Sequence, residues 1–219
     1  MKHEGEKTFE SNAPEMWDSY HRSPLGTVTH ALGVLKTTLV CRAFASKLLS
    51  MTQGPVRSIL ELGCGTASTL EQLRRRTGAR CVGVDRSPEA ISAARRAHPG
   101  LELLEGDIFD LPFADRTFDL VYSVGLLEHF SRADQRTLLA THERLSARHV
   151  ALMVPADGLL MNSILFVNKR LLGRSGTWAD EEVFSAELLA RNFPERTFDH
   201  ASMDRRFANL ILWFGWRVT

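Results

Sequence analysis

Three short segments carry the residue types from which a nucleotide site is built. In Glu61-Leu62-Gly63-Cys64-Gly65-Thr66-Ala67-Ser68, two glycines two residues apart join an apolar run to a helical pattern. Such a loop can turn tightly, approach a ligand without an intervening side chain and present the free N–H groups of the following helix. A turn that needs only positive φ explains it equally well on its own. Asp85 lies 20 residues beyond Gly65, at the end of the next apolar run, where a carboxylate can accept hydrogen bonds from ribose hydroxyls. Its competing role is to cap the next helix, but Ser87 already supplies that cap. Gly106-Asp107-Ile108 offers a carboxylate and an apolar side chain where an adenine could be held, although alone it also reads as an ordinary Gly-Asp turn.

These segments must be positioned by the elements before them. Val56 to Leu62, Arg80 to Val84, Leu101 to Leu104, Phe118 to Ser123 and His149 to Val154 read as strands. Thr66 to Arg76, Pro88 to His98 and Asp134 to Leu145 read as the helices between them. Short strands alternating with helices predict a parallel sheet covered on both faces, with ligands beyond the carboxyl ends of the strands. A helix near Asp180 to Arg191 and two extended stretches, Arg196 to Met203 and Asn209 to Trp216, follow, and the stretches are expected to pair antiparallel at the sheet edge. Residues 1–55 carry a helical pattern at Leu32, Leu35, Leu39, Ala43, Phe44 and Leu48, expected to cap residues 56–219 as part of the same domain.

With 219 residues and 44% apolar content, the chain can bury one substantial core. Lys+Arg 27 against Asp+Glu 26 leaves a formal charge of +1, which lacks the footprint of a nucleic-acid binder and points to a small-molecule partner. Arg74-Arg75-Arg76 and Arg95-Arg96 read as solvated helix faces. Three scattered cysteines without a CxxC pair argue against a disulfide framework and against a structural metal, so none is expected. The charged MKHEGEKTFE start and the lack of a long apolar run predict a cytoplasmic protein without a membrane span; the sequence leaves monomer and homodimer both open.

The first two loops would serve NAD as well as S-adenosylmethionine. The dinucleotide fingerprint, however, wants a glycine three residues after Gly65, and that position is Ser68. Through VRSILELGCGTAS, CVGVDRSPEAI, LEGDIFDLPFADRTFDLVYSVGLLEHF and ALMVP, roughly Val56 to Pro155, the sequence resembles the class I (Rossmann-like) methyltransferases, in particular the small-molecule group related to ubiquinone and menaquinone C-methyltransferases. The resemblance implies a single-domain α/β fold with a seven-stranded, mostly parallel sheet, helices on both faces, an antiparallel C-terminal edge hairpin and an N-terminal helical cap. It implies S-adenosylmethionine as cofactor and S-adenosylhomocysteine as product. Glu61 would stabilise the loop near the methionine amino group, and Gly63 and Gly65 would let the backbone approach. Asp85 would hold the ribose, Arg86 would flank the adenine, Asp107 and Ile108 would hold its edge, and Ser123 would lie beside the methionine moiety. Ala67 stands where a glycine is commoner, a change expected to cost little space, and Leu145-Ser146-Ala147-Arg148 replaces the usual Pro-Gly-Gly before the fifth strand.

On the acceptor side, methyl transfer requires placement of two reactants and no protein nucleophile. His129, in Leu126-Leu127-Glu128-His129-Phe130, is the candidate general base for a hydroxyl acceptor, with a loop-shaping histidine as the alternative. Trp17, Tyr20 and His21 are a candidate lid, with Tyr20 toward the cofactor, or a docked surface segment. Lys169, Arg170 and Arg174 would suit an acidic acceptor or form a solvated face. A macromolecular substrate is disfavoured because the fourth strand ends Ser123-Val124-Gly125-Leu126, without the Asn/Asp-Pro-Pro-aromatic sequence of the amino-methylating nucleic-acid and glutamine enzymes. A non-catalytic cofactor-binding module and a nicotinamide oxidoreductase are the remaining readings.

Overall fold

The computed structural model describes residues 27–166 and 182–219, with side chains from Thr38 onward in the first helix. Helix α1, Thr27–Ser50, leads into strand β1, Ser58–Leu62, helix α2, Ser68–Thr77, and strand β2, Arg80–Asp85. Helix α3, Pro88–Ala97, strand β3, Glu102–Glu105, and strand β4, Phe118–Val124, follow. Then come helix α4, Arg132–Leu145, strand β5, Ser146–Pro155, helices α5, Leu159–Phe166, and α6, Ala186–Asn192, and strands β6, His200–Met203, and β7, Ile211–Arg217. The strands form one sheet in the order β3-β2-β1-β4-β5-β7-β6. β1 to β5 pair in parallel, whereas β7 pairs antiparallel with both β5 and β6. Chain progression reverses between β1 and β4, so the ligand crevice of an open sheet falls at their carboxyl ends.

The period of two along each strand sorts the core into two layers. Leu60, Leu62, Val82, Val84, Phe118 and Val121 face α4 and α6, meeting Leu138, Leu139, Leu189 and Phe193. Ile59, Cys81, Leu120, Tyr122 and Met153 face the other way, onto Phe44, Ala45 and Leu48 of α1, Leu70 and Leu73 of α2, and Ile91 and Ala94 of α3. Strands buried on both sides explain why the central runs are apolar throughout instead of alternating. The edge hairpin forms as expected, with β6 outermost.

Several boundaries differ from the sequence reading. The buried stripe of α1 is Cys41, Phe44, Ala45 and Leu48, while Leu39 is 56% exposed. The late helix starts at Ala186, because Phe184 is held extended by a parallel bridge to Ala156, and Ser185 caps the helix by accepting from Leu188 N. Strand β5 begins at Ser146, directly after α4, without an intervening loop. No helix among the described residues is long and apolar enough to cross a membrane.

Candidate functional site

The loop after β1 adopts the conformation its glycines allow. Gly63 has φ +68° and Gly65 φ +51°, and Ala67 joins them in the left-handed region at φ 55°, ψ 24°. For an alanine that conformation costs roughly 1–2 kcal/mol. The departure at Ala67 therefore has a conformational cost and is not a matter of space. It also delays α2 to Ser68 and leaves that helix without a side-chain N-cap, whereas Ser87, Ser131 and Ser185 cap α3, α4 and α6. The first amides of α2 face the crevice end of the sheet. A Cβ on Gly63 would lie 2.8 Å from Leu126 Cδ1, so the loops after β1 and β4 touch across the reversal point.

Asp85 ties the loops together. Its Oδ2 accepts from Gly65 N at 2.7 Å and its Oδ1 from Ser87 N at 2.9 Å, while its backbone oxygen accepts from Gly106 N at 3.0 Å. Ribose binding and support of the next helix are compatible roles for Asp85. A carboxylate accepts about four hydrogen bonds, so two backbone partners leave room for two hydroxyls. Arg86, between Asp85 and Ser87, is half-buried.

Glu61 points into the second core layer and is 3% exposed, with no hydrogen bond to its Oε2 among the described residues. Burial pushes its carboxyl up to about 8, against a pull downward from the Tyr122 phenol and with a further push from Asp85. Burial likewise raises the Cys41 and Cys64 thiols and pushes Cys81 up to about 12, so these cysteines pack as apolar groups.

The remaining predicted residues are more scattered. Asp107 is exposed and accepts from Phe109 N at 3.0 Å, the local Asx turn that its sequence alone also allowed. Ile108 is 8% exposed and packs in the first core layer, so its side chain supports the third loop from below. Ser123 does not turn its side chain to the crevice. It is 1% exposed, and its Oγ meets His142 Nε2 at 3.1 Å beneath α4, because Ser123 shares strand parity with Val121. His129 closes the helical turn Leu127–His129 after β4 and is half-buried beside the crevice. Trp17, Tyr20, His21, Lys169, Arg170, Arg174 and Trp178 lie outside the described residues.

Four residues were missed by sequence reasoning. Tyr122 lies against Glu61, and Glu128 is 3% exposed within the turn that bears His129. His142 is fully buried; its Nδ1 lies 2.8 Å from Leu138 O, so Nδ1 carries the proton and Nε2 accepts from Ser123. Burial pushes its imidazole down to about 4. Gln135, also fully buried, reaches the backbone of the same turn. A polar residue within the apolar stripe Leu138, Leu139 and Leu145 was the available signal for His142.

Residues 59–148 match the family described as a methyltransferase domain. The chain is 33% identical over 79 residues to norajmaline N-methyltransferase of Rauvolfia serpentina, a match covering 33% of this chain and 27% of that protein. It is 25% identical over 143 residues to demethylmenaquinone methyltransferase of Chlorobaculum tepidum, covering 63% of this chain and 59% of the relative. The aligned region thus spans 27% of one curated relative and 59% of the other, under two thirds of each. Among solved structures, magnesium protoporphyrin IX methyltransferase from Synechocystis PCC 6803 with bound SAH superposes with a TM-score of 0.68 at 13% identity, over 94% of each chain. The strand order and the Gly63–Gly65 loop agree with the domain match: residues 59–148 match a methyltransferase domain, and the chain has the class I, Rossmann-like methyltransferase fold.

Proposed function

We propose that the protein transfers the methyl group of S-adenosylmethionine to a small-molecule acceptor. The observation that carries this reading is the junction at the β1/β4 reversal, where Asp85 bridges the Gly63–Gly65 loop and the start of α3 with acceptor capacity to spare. The residues fit the cofactor: glycines leave space for a close approach, Asp85 suits two ribose hydroxyls, and the buried Glu61 carboxyl offers an acceptor oxygen to an ammonium group. Asp107 and Ile108 flank the place expected for the adenine, Arg86 borders it, and Ser123 contributes backbone only. When bound, the cofactor supplies an electrophilic methyl on a sulfonium. The protein then has to align the acceptor for in-line displacement and exclude competing water. For a hydroxyl acceptor, His129 takes the departing proton as general base.

The curated relatives act on an alkaloid and a quinone by their names, and the chain's near-neutral charge also favours a metabolite over nucleic acid. Incubation with S-adenosylmethionine and a metabolite extract, read by mass spectrometry, should give one or a few products heavier by a methylene. With a hydroxyl product, His129→Ala should lower turnover by about 10²- to 10⁴-fold, the span of general base catalysis. Methyl incorporation into RNA or protein alone would overturn the small-molecule assignment.

A further inference from the structure

The turn that carries His129 is held from below by a side chain with no assigned role. Gln135 closes the first turn of α4, its N donating to Ser131 O at 2.8 Å, and is fully buried. Its Nε2 donates to Glu182 Oε2 at 2.7 Å and lies 3.2 Å from Phe130 O and 3.3 Å from Leu127 O. One N–H serves the carboxylate and the other is shared by two carbonyls that bracket Glu128 and His129. Gln135 Oε1 accepts from Arg132 Nη1 at 2.8 Å, and Arg132 Nη2 donates to Glu182 Oε1, closing a triangle. The Arg132 guanidinium also lies over the Phe193 ring, 5.7 Å from its centroid, at the end of α6. Glu182 is itself fixed close by, since Phe184 N donates to Pro155 O at 2.9 Å and Asp157 N to Phe184 O at 2.7 Å.

We propose that Gln135 is a positioning residue for methyl transfer: with Arg132 and Glu182 it locks the His129 turn to the segment that extends β5, fixing the geometry of the acceptor side independently of the cofactor loops. The proposal rests on the reading that this turn faces the acceptor. Gln135 suits the task because its amide is both donor and acceptor, so one side chain satisfies backbone carbonyls, a carboxylate and a guanidinium at once. The charge-assisted contact to Glu182 is also the shortest of its contacts. Among the described residues, Asp85 and Gly65, which form the cofactor side, share no hydrogen bond with this triangle, and the two loops meet through the apolar packing of Leu126 beside Gly63. Loosening one side should therefore spare the other.

The experiment compares wild type, Gln135→Leu and Glu182→Ala, each with S-adenosylhomocysteine as probe. Calorimetry gives its affinity, amide exchange reports the backbone at His129 and Phe130, and histidine-labelled NMR follows the His129 and His142 rings. His142, on the same helix but deep in the core, is the internal control for a general structural defect. The expected result for Gln135→Leu is exchange at His129 and Phe130 faster by tenfold or more, a shifted His129 ring signal, an unmoved His142 signal and affinity within about threefold of wild type. Glu182→Ala, at a partly exposed position, should give the same pattern at roughly half the exchange effect on a logarithmic scale. Unchanged exchange at the turn, movement of both rings together, movement of His142 alone, or a loss of affinity matching the gain in exchange overturns the positioning role. Failure of the probe to bind wild type would instead count against the cofactor assignment, and the exchange and ring signals would still decide the role of Gln135.

Discussion

The carboxyl of Glu61 sits in an apolar layer, and the groups acting on it are Tyr122, Asp85 and the backbone at Leu70, none of them a cation. Its folded-state value of about 8 stands above the ordinary 4.5, so between those values the folded chain holds a proton that the unfolded chain has lost. Stability from this group is therefore full below pH 4.5 and declines, by at most about 1.4 kcal/mol per pH unit, until it is gone near pH 8. Denaturant midpoints across that range should show wild type losing stability relative to Glu61→Gln as pH rises; parallel profiles would contradict the assignment. The pull of His142 in the opposite sense, held neutral in the core down to about 4, is common to both proteins and cancels in the difference. At this scale the sequence spoke clearly where chemistry is local. Gly63, Gly65 and Asp85 stand together at the end of the sheet as their spacing suggests, with the Gly65 backbone N–H donating to the Asp85 carboxylate. Ser123 was read by its position after a strand, but its parity with Val121 turns it under α4. Gln135 was not legible, because the partners of its amide nitrogen are five, eight and 47 residues away and only Arg132, on its oxygen, is a helical neighbour.

Elements were legible where their punctuation is local. Ser87-Pro88 opens α3 as expected, and Ser87 accepts from Ala90 N. The start of α2 was misplaced by two residues, because nothing in Thr66-Ala67 announces that an alanine will take a left-handed conformation. The late helix was begun too early for a tertiary reason, the bridge between Phe184 and Ala156. The β5/β7 pairing carries a stringent demand of the same kind. Gly215 lies opposite Ala151, and a Cβ there would stand 2.2 Å from Val150 O and 3.1 Å from Ala151 Cα. Met51 Cε, also 3.1 Å away, is the end of a flexible side chain and can yield, but the other two neighbours are backbone, so the strands would have to separate. Gly215→Ala should cost about 3 kcal/mol or more, in the upper range for overpacked sites, and lower the thermal midpoint by about 6–12 °C. A midpoint within about 2 °C of wild type would mean that the strands accommodate the methyl without separating.

Across the whole molecule, the sheet follows from a chain that alternates apolar runs with capped helices, and the antiparallel hairpin from two late extended stretches. The proposed acceptor side follows from no comparable pattern, since contacts such as Gln135–Glu182 cross between distant segments. The cofactor side is the central claim and the most exposed to refutation. Calorimetric titration of the purified protein with S-adenosylmethionine, repeated with Asp85→Ala and with NADH as competitor, tests it directly. The account predicts saturable one-site binding, weakened about 10- to 100-fold in the variant by the loss of charge-assisted hydrogen bonds worth about 1.5–3 kcal/mol, and no displacement by NADH. Absence of S-adenosylmethionine binding, or its displacement by NADH at comparable concentration, would contradict it.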